Sequence, residues 1–201
     1  MAYIKRNPKD YNKALCLDTN LLWGFLQTTQ PKDIEELQKR QSTNLQETFL
    51  TRLKNQIEQQ GLLKVLKEGI EVLGVSFKLA YNKPPDQKNP DTWKNYQNNL
   101  FSVARQLRYS TQNNNSLDLV IFLNGLPIFT LELKNKLSDQ GVVDVIEQHN
   151  KNRNPNEPLF KHHTLAHFVL DNDLVYMSTK LEGTKTLFIT STHHQTNPPN
   201  L

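Results

Sequence analysis

Apolar and polar positions divide the chain into helical and extended stretches. Leu45, Phe49, Leu53 and Ile57 recur every four residues, and Leu50 widens the stripe. The spacing predicts a helix over residues 45–60, capped by Thr43 or Asn44 and stopped at Gly61. A shorter helical stretch is expected over 62–73, ended by Gly74. The first forty residues also read as helical. Asp18, Thr19 and Asn20 offer N-caps before an apolar run, and Pro31 heads a segment with acids in its first turn. Residues 75–81 alternate as a strand. A proline-rich loop follows over 84–90, then a partly helical stretch over 92–99 and an alternating stretch over 101–109. The strongest local signal is a pair of apolar runs, 117–123 and 126–134, flanking Asn124-Gly125, which predicts a β-hairpin. A helix is expected over 142–150, a loop over 152–158, strands over 165–170 and 174–178 with a turn at 171–173, and a polar, frayed end from Thr190.

The element order, helices first and then sheet, helix and more sheet, predicts a mixed α/β (α+β) fold. Residues 1–42 are expected as a helical N-terminal extension, 43–186 as the core, and 187–201 as a flexible tail or linker.

Composition narrows the class. Of 201 residues, 36% are hydrophobic and 22% charged, which leaves enough Leu, Ile, Val and Phe for a core. No run of about 18 uncharged apolar residues exists to cross a membrane. The basic N-terminus lacks the apolar stretch of a secretory signal. Cys16 is the lone cysteine, which excludes a disulfide framework and a cysteine-based zinc site and points to a reducing, cytoplasmic setting. The six histidines include adjacent pairs, 162–163 and 193–194, rather than pairs one helical turn apart, so a structural zinc site is not expected. His167 reads as a hydrogen-bonded sheet residue and Cys16 as a small buried hydrophobe. The formal charge of +4 permits a nucleic-acid partner without requiring one. Gly183-Thr184-Lys185-Thr186 lacks the upstream glycine and the Gly-Lys step of a phosphate-binding loop, and is expected to be a turn.

The hairpin carries the candidate chemistry. Asp118, Glu132 and Lys134 are ionisable residues in otherwise apolar runs. Strand alternation puts Glu132 and Lys134 on one face. Two carboxylates can hold a hard cation such as Mg²⁺, and a lysine can position water or offset charge on a phosphate. The same residues would also suit a solvated edge strand. A strict two-residue turn opposes Asp118 to Leu131 and turns it away from Glu132. A shared site therefore requires either a three-residue loop, 124–126, or a bulge near Asp118, and Pro127 fits an irregularity there.

The runs Ser116–Pro127 and Thr130–Asn135 resemble the N-terminal nuclease domain of the restriction (motor) subunit of type I restriction–modification enzymes, in the PD-(D/E)xK superfamily. The resemblance extends to residues 25–32, 47–50, 103–109, Gln148, 153–155, 157–160, 167–168 and 175–179. It implies a mixed sheet flanked by helices, with Asp118 and Glu132 as metal ligands, the Leu133 carbonyl as a third donor and Lys134 as the catalytic lysine. Glu47 matches an additional acid, and Gln148 a residue that contacts DNA or supports the lysine. The family places a tyrosine beside that glutamine or one turn on, where this chain has His149 and Asn152. Past Thr186 the resemblance is weak.

The resemblance further implies metal-dependent cleavage of double-stranded DNA, coupled to an ATP-driven motor, with methyltransferase and specificity subunits as partners and weak activity for the domain alone. ATP would act only through the motor. Because no phosphate-binding loop is present, the chain is expected to be an N-terminal fragment or a truncated subunit. Arg105, Arg108, Lys136, Lys151 and Arg153, with Lys161, are candidate phosphate contacts. The competing readings are a docking or DNA-binding module without cleavage, and a stand-alone repair-type nuclease.

Overall fold

The computed structural model describes residues 2–86, 88–133, 153–170 and 174–192. A seven-stranded mixed sheet forms the centre. Its strands are β1 (Ala2–Arg6), β6 (Leu100–Arg108), β7 (Ser116–Leu123), β8 (Leu126–Leu133), β9 (Ala166–Leu170), β10 (Leu174–Ser178) and β11 (Ile189–Thr192), hydrogen-bonded in that order. The β1–β6 and β8–β9 pairs are parallel and the others antiparallel.

One face carries the helices α1 (Thr19–Thr29), α2 (Pro31–Arg40), α3 (Leu45–Gln60) and α4 (Leu62–Glu68). Their apolar stripes bury Leu22, Phe25, Leu26, Leu37, Phe49, Leu53, Ile57 and Val65 against Leu126, Ile128, Ile121 and Phe129 of the hairpin. The expected four-residue stripe of α3 is the buried one. Phe49 meets Phe77 edge to face at a centroid distance of 5.1 Å. Asp18 caps α1 by accepting the Leu21 N–H at 3.1 Å, and Pro31 opens α2. The opposite sheet face buries Ala104, Val120 and Phe122 with Tyr11, Cys16, Phe160 and Leu181. Among the described residues, no helix is long and apolar enough to cross a membrane.

Four local expectations differ from the structure; the simplest is that the strand expected over 75–81 is limited to Val75–Phe77. The first forty residues are not wholly helical. Residues 2–6 add an edge strand to the central sheet, and the two-residue strands β2 (Tyr11–Asn12) and β3 (Leu17–Asp18) pair ahead of α1. The cause is Asp18, which holds Arg6 of β1 at 2.8 Å while capping α1, so the N-terminus is tied back to the sheet. The helix expected over 62–73 ends at Gly69. Ile70–Val72 (β4) instead pairs with Val75–Phe77 (β5), across Leu73 and Gly74, which both have positive φ. Alternation of buried, exposed and buried residues decides that segment, which is too short to show a helical period. Finally, residues 189–192 pair with β10 rather than fray.

The stretch expected as partly helical over 92–99 is α5 (Pro90–Gln97), and Thr186 closes a turn on the Gly183 carbonyl. A short helix, Pro158–Lys161, precedes β9. The expected helix over 142–150 and the turn over 171–173 lie outside the described residues.

Candidate active site

The turn that sets the hairpin register is buried. Asn124 and Gly125 have φ of 51° and 84°, and Leu123 opposes Leu126, so the loop has two residues. The Asn124 side chain donates to the Leu79 carbonyl and accepts the Leu100 N–H. The Gly125 carbonyl accepts the Asp18 N–H at 2.9 Å. A side chain at Gly125 would press on the Asp18 carbonyl and the start of α1.

A register shift follows the turn. Phe122 opposes Pro127, whereas Ile121 opposes Phe129, so Ile128 is an extra residue. The required irregularity therefore exists. It lies beside Pro127, neither in a three-residue loop nor near Asp118. Pro127 has no N–H to give the ladder, so an interruption there is cheap. Leu119 then faces Leu131, the last pair of the ladder, and Asp118 and Glu132 are the next residues beyond it on the two strands.

There the strand ends are tied by side chains. Asp118 Oδ2 accepts the Leu133 N–H at 2.8 Å, and Oδ1 accepts from Gln106 Nε2 at 2.8 Å. Glu132 is buried, and its Oε1 pairs with Arg153 Nη2. That nitrogen also donates to the Ser116 carbonyl at 2.8 Å. Arg153 lies over the Tyr109 ring at 5.5 Å and reaches the Tyr109 hydroxyl at 3.3 Å. A carboxylate taken out of water needs such a cation and hydrogen-bonded surroundings. On the neighbouring strand, buried His167 Nδ1 is 2.8 Å from Thr130 Oγ1, in keeping with its expected sheet role.

The structure thus brings Asp118 to the main chain beside Glu132, and Arg153 to Glu132. Arg105 and Arg108 are exposed on β6, and Arg108 lines a cleft of about 530 Å³ with Lys9, Lys13 and Gln106. Glu47 is exposed in the first turn of α3 and lines a separate cleft with Leu15 and Leu50. Among the described residues, no group of three or more His, Cys, Asp or Glu side chains is placed to hold a metal. Lys134, Lys136, Gln148 and Lys151 lie outside the described residues. Cys16 is buried, as expected, and burial pushes its thiol up to about 11, so it offers no thiolate at neutral pH.

Sequence reasoning did not single out Gln106, or Arg153 as the partner of Glu132. Nothing in Arg105 or Leu107 beside Gln106 signals its backbone conformation, and 21 positions separate Arg153 from Glu132.

Residues 9–186 match the family described as the type I restriction enzyme R protein N terminus. Over 134 residues the chain is 25% identical to the type I restriction enzyme MjaVIIIP endonuclease subunit of Methanocaldococcus jannaschii. That match covers 66% of this chain and 13% of the relative, so the chain corresponds to a small part of the relative's length.

Proposed function

The chain belongs to the family of type I restriction enzyme R protein N termini, and from that premise we propose that it is the DNA-cleaving domain of such an enzyme. The observation that carries this reading is the Asp118 carboxylate accepting the Leu133 N–H, which holds it against the main chain next to Glu132 where the hairpin ladder ends.

The donor set fits a hard divalent cation such as Mg²⁺. Asp118 and Glu132 offer carboxylates and Leu133 a carbonyl, all oxygens. When bound, the cation would polarise a DNA phosphate and acidify a water. Asp118 is oriented by Gln106 and the Leu133 N–H. Arg153 holds the Glu132 side chain in place. Lys134, two residues beyond Glu132 in sequence, positions the attacking water and offsets charge on the phosphate. Glu47 and Gln148 are supporting candidates. Arg105, Arg108, Lys136 and Lys151 contact phosphates without reading bases, and Lys9 and Lys13 extend the cationic cleft beside Arg108. Arg153, also a candidate phosphate contact, is engaged with Glu132.

In the full enzyme, cleavage is coupled to ATP-driven translocation. Methyltransferase and specificity subunits are the partners and the cytoplasm is the setting. The second reading, a DNA-binding docking module without cleavage, draws on the Arg153–Glu132 pair, which already neutralises one ligand carboxylate.

Mn²⁺ titration of this chain tests the proposal. Wild type binds the ion, and Asp118→Asn weakens binding by on the order of 10-fold or more. An absence of wild-type binding, or equal binding by the variant, refutes the cation site. Strong DNA cutting by this chain alone would instead favour a stand-alone repair-type nuclease.

A further inference from the structure

β6 and β7 change face together. Ala104 pairs with Val120, and Leu107 with Leu117. These pairs lie three positions apart on each strand, so regular alternation would send them to opposite faces. All four are buried in the same cluster. The change falls on Arg105-Gln106 and Asp118-Leu119, and the register passes through it without an inserted residue. Gln106 has φ of 50°, a left-handed conformation that residues with a Cβ avoid. Its Nε2 donates to Asp118 Oδ1 at 2.8 Å, and its Oε1 accepts from Ser116 Oγ at 3.4 Å. The other Asp118 oxygen takes the Leu133 N–H.

We propose that Gln106 is a positioning residue. Its left-handed backbone swings its amide onto Asp118 and fixes that carboxylate across the strand end, against the main chain that follows Glu132. Backbone outliers of this kind persist where surrounding contacts over-determine them. The Asp118–Leu133 bond lies where the β7–β8 ladder stops, so a carboxylate replaces the missing main-chain acceptor. The purpose of this arrangement rests on the proposed nuclease function, whereas the positioning itself does not require it.

The test uses two variants of this chain. Gln106→Met keeps the length and removes the donor. Gln106→Asn tolerates the left-handed backbone but falls one methylene short of Asp118. Hydrogen exchange of the Leu133 amide is followed by NMR without added metal, against the Val120 amide as an internal reference for global stability. The expected result is Leu133 exchange faster by on the order of 10-fold in both variants, with Val120 unchanged, and Mn²⁺ affinity lower by a similar factor. Unchanged Leu133 exchange in both variants overturns the proposal. Wild-type behaviour of Gln106→Asn also overturns it, because backbone conformation rather than side-chain contact would then set Asp118. Faster Leu133 exchange in a protein whose wild type binds no Mn²⁺ supports the positioning role and refutes the proposed function.

Discussion

His163 makes the fold sensitive to acid. Its side chain is fully buried just ahead of β9, and neither ring nitrogen has a hydrogen-bond partner among the described residues. Burial, with repulsion from His162 and Lys54, lowers its pKa from 6.5 to about 4. Between those values the unfolded chain binds a proton that the folded one refuses, so stability falls as pH drops through that window. Linkage across a gap from 6.5 to about 4 gives a loss of about 2 kcal/mol by pH 5 and about 3 kcal/mol by pH 4. That is a large share of the roughly 5–15 kcal/mol of a typical domain. Urea unfolding of wild type and His163→Leu at several pH values between 7 and 4 isolates this group from the carboxylates that titrate nearby. The wild-type stability, measured relative to the variant, should fall by that amount. Parallel pH profiles for the two proteins would refute the buried neutral imidazole.

Three further substitutions probe what holds the site. Gly125→Ala forces a Cβ against the Asp18 carbonyl oxygen and the Leu22 N–H at φ 84°. It should cost about 2 kcal/mol or more, read as a lower thermal midpoint; an unchanged midpoint would show that the turn can relax away from α1. Asp18→Ala removes the α1 cap and one of the two carboxylates on Arg6, leaving Asp10. It should cost about 2 kcal/mol in urea unfolding; a cost near zero would mean that β1 is not anchored through this pair. Arg153→Met takes the guanidinium from Glu132, Tyr109 and the Ser116 carbonyl. It should cost roughly 2–4 kcal/mol, because both members of the pair are largely buried; equal urea midpoints would show that Glu132 does not depend on Arg153.

The readable parts of the sequence were those where a local signal and a tertiary need coincide. Asn124-Gly125 announced the hairpin because only a turn with two positive φ values uses that pair so readily. The stripe of α3 was legible because sixteen residues display the helical period. The bulge could be demanded from the wish to align Asp118 with Glu132, but its place at Ile128 depends on how the buried turn docks on α1. β1 was missed because its sequence, Ala-Tyr-Ile-Lys-Arg, is short and basic, and its pairing with β6 spans most of a hundred residues. The face change at Gln106 has no counterpart in composition. It arises from two strands turning together.

On the proposed function, Asp118 and Glu132 form one phosphodiester-cleaving centre. Its most direct test is DNA cleavage by a complete type I enzyme carrying this chain as its R-protein N terminus, with ATP-driven translocation measured in the same preparation. Asp118→Asn and Glu132→Gln should each abolish cleavage while translocation continues at the wild-type rate. Undiminished cleavage by either variant would contradict it.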